Sequence, residues 1–417
     1  MSHDMHVGII GAGVVGLSTA LWLQRQGVKV TIIDRQAPGN GASFGNAGLF
    51  ADYARLPFAN MDALKSLPNM LLDKKSPLSL QAGYMLNLIP YGWRFVRACM
   101  DKNYQHGRAA LTEIQNLTVA ADNALFDQTA TRDLIKAEGC LGLFSTTESY
   151  QAARDGSLAE RARQGVAMEL LSATEVKALE PDIADFHAGG VFYPNTRFTL
   201  SPVQLCQRYS EEFLRVGGEL LCEDVIAIQP AAEMSQGVDV QLHNETRKFD
   251  RLVVAAGAAS TSLLKTIGLK VPVVSERGYH LTLNGEGRTI NRPVGWLDKA
   301  IFITPMQDGL RVAGTAEFAA EDAPRNEEKV NVMLEHASEM LGAEPEVKSS
   351  WVGSRPSTPD SLPVIGQVPG CPQVSLAFGH GHLGVTLGAI TGQLIGEQML
   401  GLKTAMDLTP FAVTRFG

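Results

Sequence analysis

The segment that most constrains this chain lies near its start. Val7-Gly8-Ile9-Ile10 runs directly into Gly11-Ala12-Gly13-Val14-Val15-Gly16, a helical stretch follows, and Lys29 to Ile33 leads to Asp34. An apolar strand, a glycine-rich turn, a helix and a second strand ending in a carboxylate make up a dinucleotide-binding unit. Gly11 permits the tight turn, Gly13 lets backbone N–H groups approach a pyrophosphate, and Gly16 allows close packing of the helix that opens there. The helix N-terminus, with Val14 and Val15 in its first turn, holds negative phosphates. Asp34, followed by Arg35, stands where a carboxylate accepts hydrogen bonds from both hydroxyls of an adenosine ribose, which predicts an unphosphorylated ribose. The plainer alternative is a glycine-rich turn in an ordinary α/β domain.

With 417 residues and 45% hydrophobic content the chain buries a large core, and its length predicts two or three domains. A formal charge of −8 and the lack of a Lys/Arg run argue against nucleic acid as a partner. Cys99, Cys140, Cys206, Cys222 and Cys371 are scattered, without paired spacing, which fits a reducing compartment and gives no metal site. The motif begins close behind Met1, so no secretory signal is expected, and no apolar run reaches the roughly eighteen residues of a membrane span. The expected location is cytoplasmic, or peripheral on the inner face of a membrane.

The stretch 56–100 differs from its flanks. It alternates Met, Leu, Tyr, Trp and Phe with Lys74, Lys75, Arg94 and Arg97, and Pro57, Pro68, Pro77 and Pro90 interrupt it. Short amphipathic helices are expected there, packed on the core or in a dimer, or in shallow contact with a membrane with the basic residues at the headgroups. A helical period runs over 105–125, a strand over 140–145, and polar helices over 149–163 and 172–179. Ser201 caps and Pro202 opens a helix ending near Gly217 and Gly218, before a strand leading to Val225. Arg251-Leu252-Val253-Val254-Ala255-Ala256-Gly257 reads as a buried strand closing on a small-residue turn, the shape needed where backbone passes close to a cofactor. Strands over 279–283, 300–304 and 310–314 predict an antiparallel sheet and a second domain. A strand over 374–378, the turn Gly379-His380-Gly381-His382-Leu383-Gly384 and an apolar helix over 385–399 follow.

A nicotinamide dehydrogenase keeps its dinucleotide fold in one block, whereas this chain leaves that fold and re-enters it near Ser201 and near Val374. A second glycine-rich loop, Gly39-Asn40-Gly41-Ala42-Ser43-Phe44-Gly45-Asn46-Ala47-Gly48, follows the ribose carboxylate. Such a loop has no role in holding a nicotinamide but can thread along the pyrophosphate and ring of a flavin. Here the sequence resembles the amino-acid-oxidising flavoproteins of the D-amino-acid oxidase superfamily, most closely the bacterial D-amino-acid dehydrogenases. The match includes 11–16, Asp34-Arg35, 42–48, Arg277-Gly278-Tyr279, Trp351-Val352-Gly353-Ser354-Arg355-Pro356-Ser357-Thr358-Pro359-Asp360 and 379–384, and spans nearly the whole chain.

The resemblance implies an α/β architecture: a glutathione-reductase-like FAD-binding Rossmann domain interleaved with an antiparallel-sheet substrate domain. The expected division is 1–56, 196–262 and 346–417 for FAD, and 57–195 with 263–345 for substrate, including a helical insertion at about 57–100. It further implies noncovalent FAD, since no Cys stands in Gly353-Ser354-Arg355, where enzymes resembling sarcosine oxidase attach flavin. Ser43 is expected at the pyrophosphate, Asn46, Ala47, Gly48 and Leu49 along the flavin ring, Val225 at adenine, and Gly257 near the adenosine diphosphate. Gly379, His380, Gly381, His382, Leu383 and Gly384 would present backbone N–H groups and a helix N-terminus to the flavin edge that becomes anionic on reduction.

For the substrate the resemblance names Arg355 as the carboxylate anchor, in keeping with the bidentate fork of a guanidinium; the plainer reading is a structural ion pair. Tyr53, Tyr279 and His380 are further substrate-binding candidates, although alternation along its strand would turn Tyr279 into the core. Phe302 stands where glycine oxidases carry a carboxylate-binding Tyr, His382 replaces a small or polar residue, and Asp52 and Arg55 depart from the dehydrogenase pattern. The implied reaction is oxidative deamination of an amino acid, a D-amino acid first of all, to a 2-oxo acid and ammonia, with electrons passed to a quinone or other carrier. The alternatives are an oxygen-using oxidase of glycine, sarcosine or a proline-type amine, and a subunit of a complex acting on an opine or other modified amine. No catalytic base and no oligomeric state follow from the residues.

Overall fold

A computed structural model describes residues 5–73 and 76–417; Lys74 and Lys75, two of the expected basic residues, lie outside the described residues. The strand His6–Ile10 is central to a six-stranded sheet ordered Glu219–Cys222, Lys29–Asp34, His6–Ile10, Arg251–Val254, Cys371–Phe378, Val364–Val368. The first five strands are parallel and the last is antiparallel. Val7, Ile9, Ile32, Ile33, Val253 and Val254 are buried because both faces are covered, which is why these strands read as unbroken apolar runs. One face meets the helices Val14–Arg25, Asp101–Thr129, Pro202–Arg215 and Gly384–Met399; the other meets the three-stranded meander Ala227–Pro230, Val238–Gln241, Thr246–Phe249. Helices Val14–Arg25 and Gly384–Met399 pack backbone to side chain. A Cβ on Gly392 would lie 2.7 Å from the Ser18 carbonyl carbon, and one on Gly396 would lie 2.1 Å from the Trp22 ring. The helix N-termini thereby converge at the carboxyl ends of the parallel strands, where open α/β sheets bind their ligands.

A nine-stranded sheet runs in the order Val347–Ser357, Val274–Leu283, Gly309–Phe318, Ile301–Met306, Val294–Trp296, Cys140–Phe144, Gly189–Tyr193, Glu169–Ser172, with Leu78–Leu80 pairing in parallel against Gly309–Phe318. Alternation divides its residues. Leu281, Ile303 and Val312 point into a core completed by Met333, Ala337 and Met340 of the helix Glu327–Leu341. The opposite face looks toward the loop that follows Asp34. The strand Val347–Ser357 belongs wholly to this sheet, and the chain re-enters the parallel sheet at Val364.

The 56–100 segment forms the helices Met61–Leu72, capped by Asn60, and Met85–Cys99. Pro68 and Pro90 lie inside these helices rather than ending them. Met85, Leu86, Ile89 and Trp93 are exposed on the second helix. The polar helix expected over 149–163 is two helices, Thr147–Ala153 and Ala159–Arg163, because Gly156 adopts a non-helical backbone between them. Among the described residues no helix is long and apolar enough to cross a membrane.

Candidate cofactor and substrate site

A cleft of ≈ 620 Å³ runs along the carboxyl ends of the parallel strands, from residues 223–226 past Asp34 and the glycine turn to Trp351, His380 and Gly384. Its floor is set by backbone geometry. Gly11 holds φ 115°, and a Cβ there would lie 2.4 Å from the Ala255 carbonyl oxygen; one on Gly16 would lie 1.9 Å from the Gly11 oxygen. Only glycine fits either place. Asp34 Oδ2 accepts from Ala12 N–H at 2.6 Å and Oδ1 from Gln36 N–H at 2.9 Å. A carboxylate accepts about four hydrogen bonds, so capacity for a ribose remains. Ser43 Oγ accepts from Val14 N–H at 3.1 Å, which ties the second glycine-rich loop to the first helical turn.

Gly13, Val14, Val15, Arg35, Ser43, Asn46, Val225 and Gly257 all line this cleft. Ala47, Gly48 and Leu49 do not. They carry the loop away into the strand Leu49–Phe50, where Gly48 accepts from Thr199 N–H at 2.8 Å. Of the turn 379–384, His380, Gly381 and Gly384 line the cleft, Gly379 and Gly381 take positive φ, and Leu383 is buried. The turn opens into the helix Gly384–Met399, whose positive end therefore faces the cleft.

Beneath the second loop lies a cluster that pattern reading missed. Arg311, buried in the strand Gly309–Phe318, donates to the carbonyl oxygens of Phe44 at 2.9 Å and Asn46 at 3.1 Å. The rings of His280, Phe44 and Trp351 form a triangle, His280 lying 5.7 Å from Phe44 and 5.2 Å from Trp351, with Phe44 5.9 Å from Trp351. A Cβ on Gly45 would overlap the Trp351 indole, so glycine there lets the ring lie against the loop. Burial pushes His280 down to about 3, which keeps it neutral. Arg311 Nε, His280 Nδ1 and Thr304 Oγ1 are buried without a protein partner. The signal available in sequence was a charged residue inside an apolar strand, Leu310-Arg311-Val312.

Arg355 lies on the same face. Its guanidinium rests over Gly278, where a Cβ would sit 2.3 Å from Cζ, and donates to the Thr315 carbonyl at 3.0 Å and to Glu276 Oε1 at 3.2 Å. Ser357 Oγ donates to Glu276 Oε2 at 2.7 Å. His382 is exposed and within electrostatic reach of both Glu276 and Arg355.

Three expected substrate contacts are placed elsewhere. Tyr279 lies on the opposite face, 1% exposed, its hydroxyl donating to Glu317 Oε2 at 2.6 Å, because alternation from Gly278 turns it into the core. Tyr53 is stacked on Tyr193 with centroids 4.1 Å apart, its hydroxyl 3.9 Å from Cys140 Sγ, and packs with Phe144, Leu158 and Val191. The His380 ring is turned inward to Thr391 Oγ1 at 3.0 Å, and burial pushes it down to about 3. Asp52 accepts from Thr196 Oγ1 at 3.0 Å, and Arg55 donates to the Gln164 carbonyl at 2.9 Å, so both brace the segment after the loop. Phe302 lies against Gly295.

The cleft suits an extended dinucleotide: the Asp34 carboxylate with acceptor capacity to spare at one end, a helix N-terminus and Ser43 at its middle, and a second helix N-terminus at the far end. A family profile described as FAD dependent oxidoreductase (DAO) matches residues 6–398. The D-amino-acid oxidase of Bradyrhizobium diazoefficiens is 30% identical over 428 aligned residues, covering 100% of both chains. Glycine oxidase from Geobacillus kaustophilus shares the fold at TM-score 0.76, with 22% identity over 99% of each chain. L-proline dehydrogenase from P. horikoshii does so at TM-score 0.75, with 17% identity, covering 100% of this chain and 98% of that one. This chain belongs to the DAO family of FAD-dependent oxidoreductases: it is an oxidoreductase acting on amino acids or amines, and FAD is its cofactor.

Proposed function

We propose that the protein oxidises a D-amino acid to the imino acid, which water hydrolyses to a 2-oxo acid and ammonia. Bound FAD supplies the two-electron oxidation of the α-carbon–nitrogen bond; the chain supplies orientation. The observation that carries this reading is the Arg355 guanidinium on the sheet face that also holds the Phe44 loop, with Gly278 leaving the space it occupies. A planar fork there pairs with a carboxylate and fixes which C–H faces the ring. The full-length relative named D-amino-acid oxidase supports the substrate class.

For the FAD cradle the proposed residues are Gly11, Gly13, Val14, Val15, Gly16, Asp34, Arg35, Ser43, Asn46, Val225, Gly257 and the turn 379–384, in the segments 1–56, 196–262 and 346–417. Electrons pass to a quinone or another carrier. The exposed Met85, Leu86, Ile89 and Trp93, beside Arg94 and Arg97 on one helix, support a peripheral membrane contact where a quinone is met. The relative's name favours a second reading, in which oxygen is the acceptor. Measuring reoxidation of substrate-reduced enzyme by air and by a soluble quinone separates them: reoxidation faster with quinone supports the carrier, and faster with air supports the oxidase.

A further inference from the structure

We infer that Glu276 holds the amino group of the substrate while Arg355 holds its carboxylate, so that the pair selects a zwitterion over a ligand carrying a carboxylate alone. The inference rests on the amino-acid reading above. Glu276 and Arg355 are direct cross-strand partners on the antiparallel strands Val274–Leu283 and Val347–Ser357. Their side chains keep 22% and 23% of their surface open, with 3.2 Å between Oε1 and Nη1. The pair Arg277–Glu317 on the opposite face is, by contrast, closed by its surroundings, with side chains 3% and 9% exposed.

The Glu276 carboxylate accepts from Arg355 and Ser357, two of the roughly four bonds it can take. Ser357 in turn touches the turn 379–384. Its Oγ lies 3.8 Å from where a Cβ on Gly381 would stand, and Ser357 bridges to His380, both turn residues lining the cleft. The charged and titratable groups facing Glu276 are Arg355 beside it, His382 from the turn and, from the helix Met85–Cys99, the buried phenol of Tyr91. Among the described residues, none of these but Arg355 offers it a fixed positive charge. A carboxylate brought to Arg355 therefore meets the negative charge of Glu276, and a positive amino group on the same ligand relieves that repulsion.

The test uses two ligands of nearly equal shape that cannot be oxidised. In 2-aminoisobutyrate the α-carbon carries an ammonium and no hydrogen; in pivalate a methyl group replaces the ammonium. Their binding to holoenzyme is measured by calorimetry and by the shift of the flavin spectrum. In the wild type 2-aminoisobutyrate binds more tightly. Glu276→Gln, whose amide oxygen still accepts from Arg355 while its amide N–H donates to Ser357 Oγ, lowers the ratio of the two affinities by at least about tenfold, chiefly through tighter pivalate binding, and Glu276→Asp restores part of it. A ratio that changes by less than about threefold, or affinities for both ligands that fall together, overturns the assignment. Failure of the amino-acid reading is distinct: it shows as a wild-type flavin that no amino acid reduces.

Discussion

The backbone N–H of Ala12 donates to the Asp34 carboxylate at 2.6 Å, so the end of the second parallel strand is tied to the glycine turn that follows the first. One hydrogen bond thus fixes both walls of the nucleotide cleft. Asp34→Ala removes it together with the bond from Gln36 and with the proposed ribose acceptor. A charged hydrogen bond contributes roughly 1.5–3 kcal/mol, so FAD affinity is expected to fall by at least tenfold, read as recovery of free-flavin fluorescence on dilution. Unchanged retention of FAD would show that the ribose is held elsewhere.

Arg311 acts on the 39–48 loop, proposed to run along the flavin, from below. Its two bonds to the carbonyls of Phe44 and Asn46 hold the loop while the guanidinium stays buried, so no solvent replaces it when it is removed. Arg311→Met is expected to weaken FAD binding by roughly tenfold to a hundredfold and to lower the thermal midpoint of the holoenzyme. Arg311→Lys keeps the charge but loses the planar fork, and recovers only part of either.

Arg355→Ala is expected to lower catalytic efficiency by at least about thirtyfold, as removal of a partly buried charge partner does, with FAD content unchanged. Near-normal efficiency in steady-state assays would return Arg355 to a purely structural ion pair with Glu276.

Two buried histidines predict an acid limb to stability. Burial holds His280 and His380 at about 3 in the folded chain, well below the 6.5 of an exposed imidazole. Between those values the unfolded chain binds protons that the folded chain does not. Stability is therefore fully present above pH 6.5 and falls as pH drops toward 3, by about 1.4 kcal/mol per pH unit for each group. Thermal unfolding from pH 7 to pH 5 checks this: His280→Gln should show a shallower decline than the wild type, and an equal slope would mean that His280 titrates freely when folded.

The nucleotide cleft was legible because its grammar is local. Gly11, Gly13, Gly16 and Asp34 declare a turn, a helix start and a strand end within a few residues of each other, and Ser201 and Pro202 open their helix where expected. The substrate face depends instead on which strands lie side by side. Glu276 meets Arg355 only through the register of the edge strand, and His280 reaches Phe44 only because the 44–48 loop folds back over that sheet. Tyr53 looked free beside the loop, yet its stacking partner Tyr193 comes from a strand far along the chain. Tyr279 shows the reverse case: simple alternation already pointed it inward, and a resemblance in Arg277-Gly278-Tyr279 had placed it at the site.

The most direct measurement is anaerobic titration of the purified holoenzyme with D- and L-amino acids, glycine, sarcosine and proline derivatives, followed through the visible flavin band. Bleaching by D-amino acids well ahead of their L-enantiomers is the predicted result. A flavin that none of these compounds bleaches would contradict the proposed reaction and leave only the family and its cofactor standing.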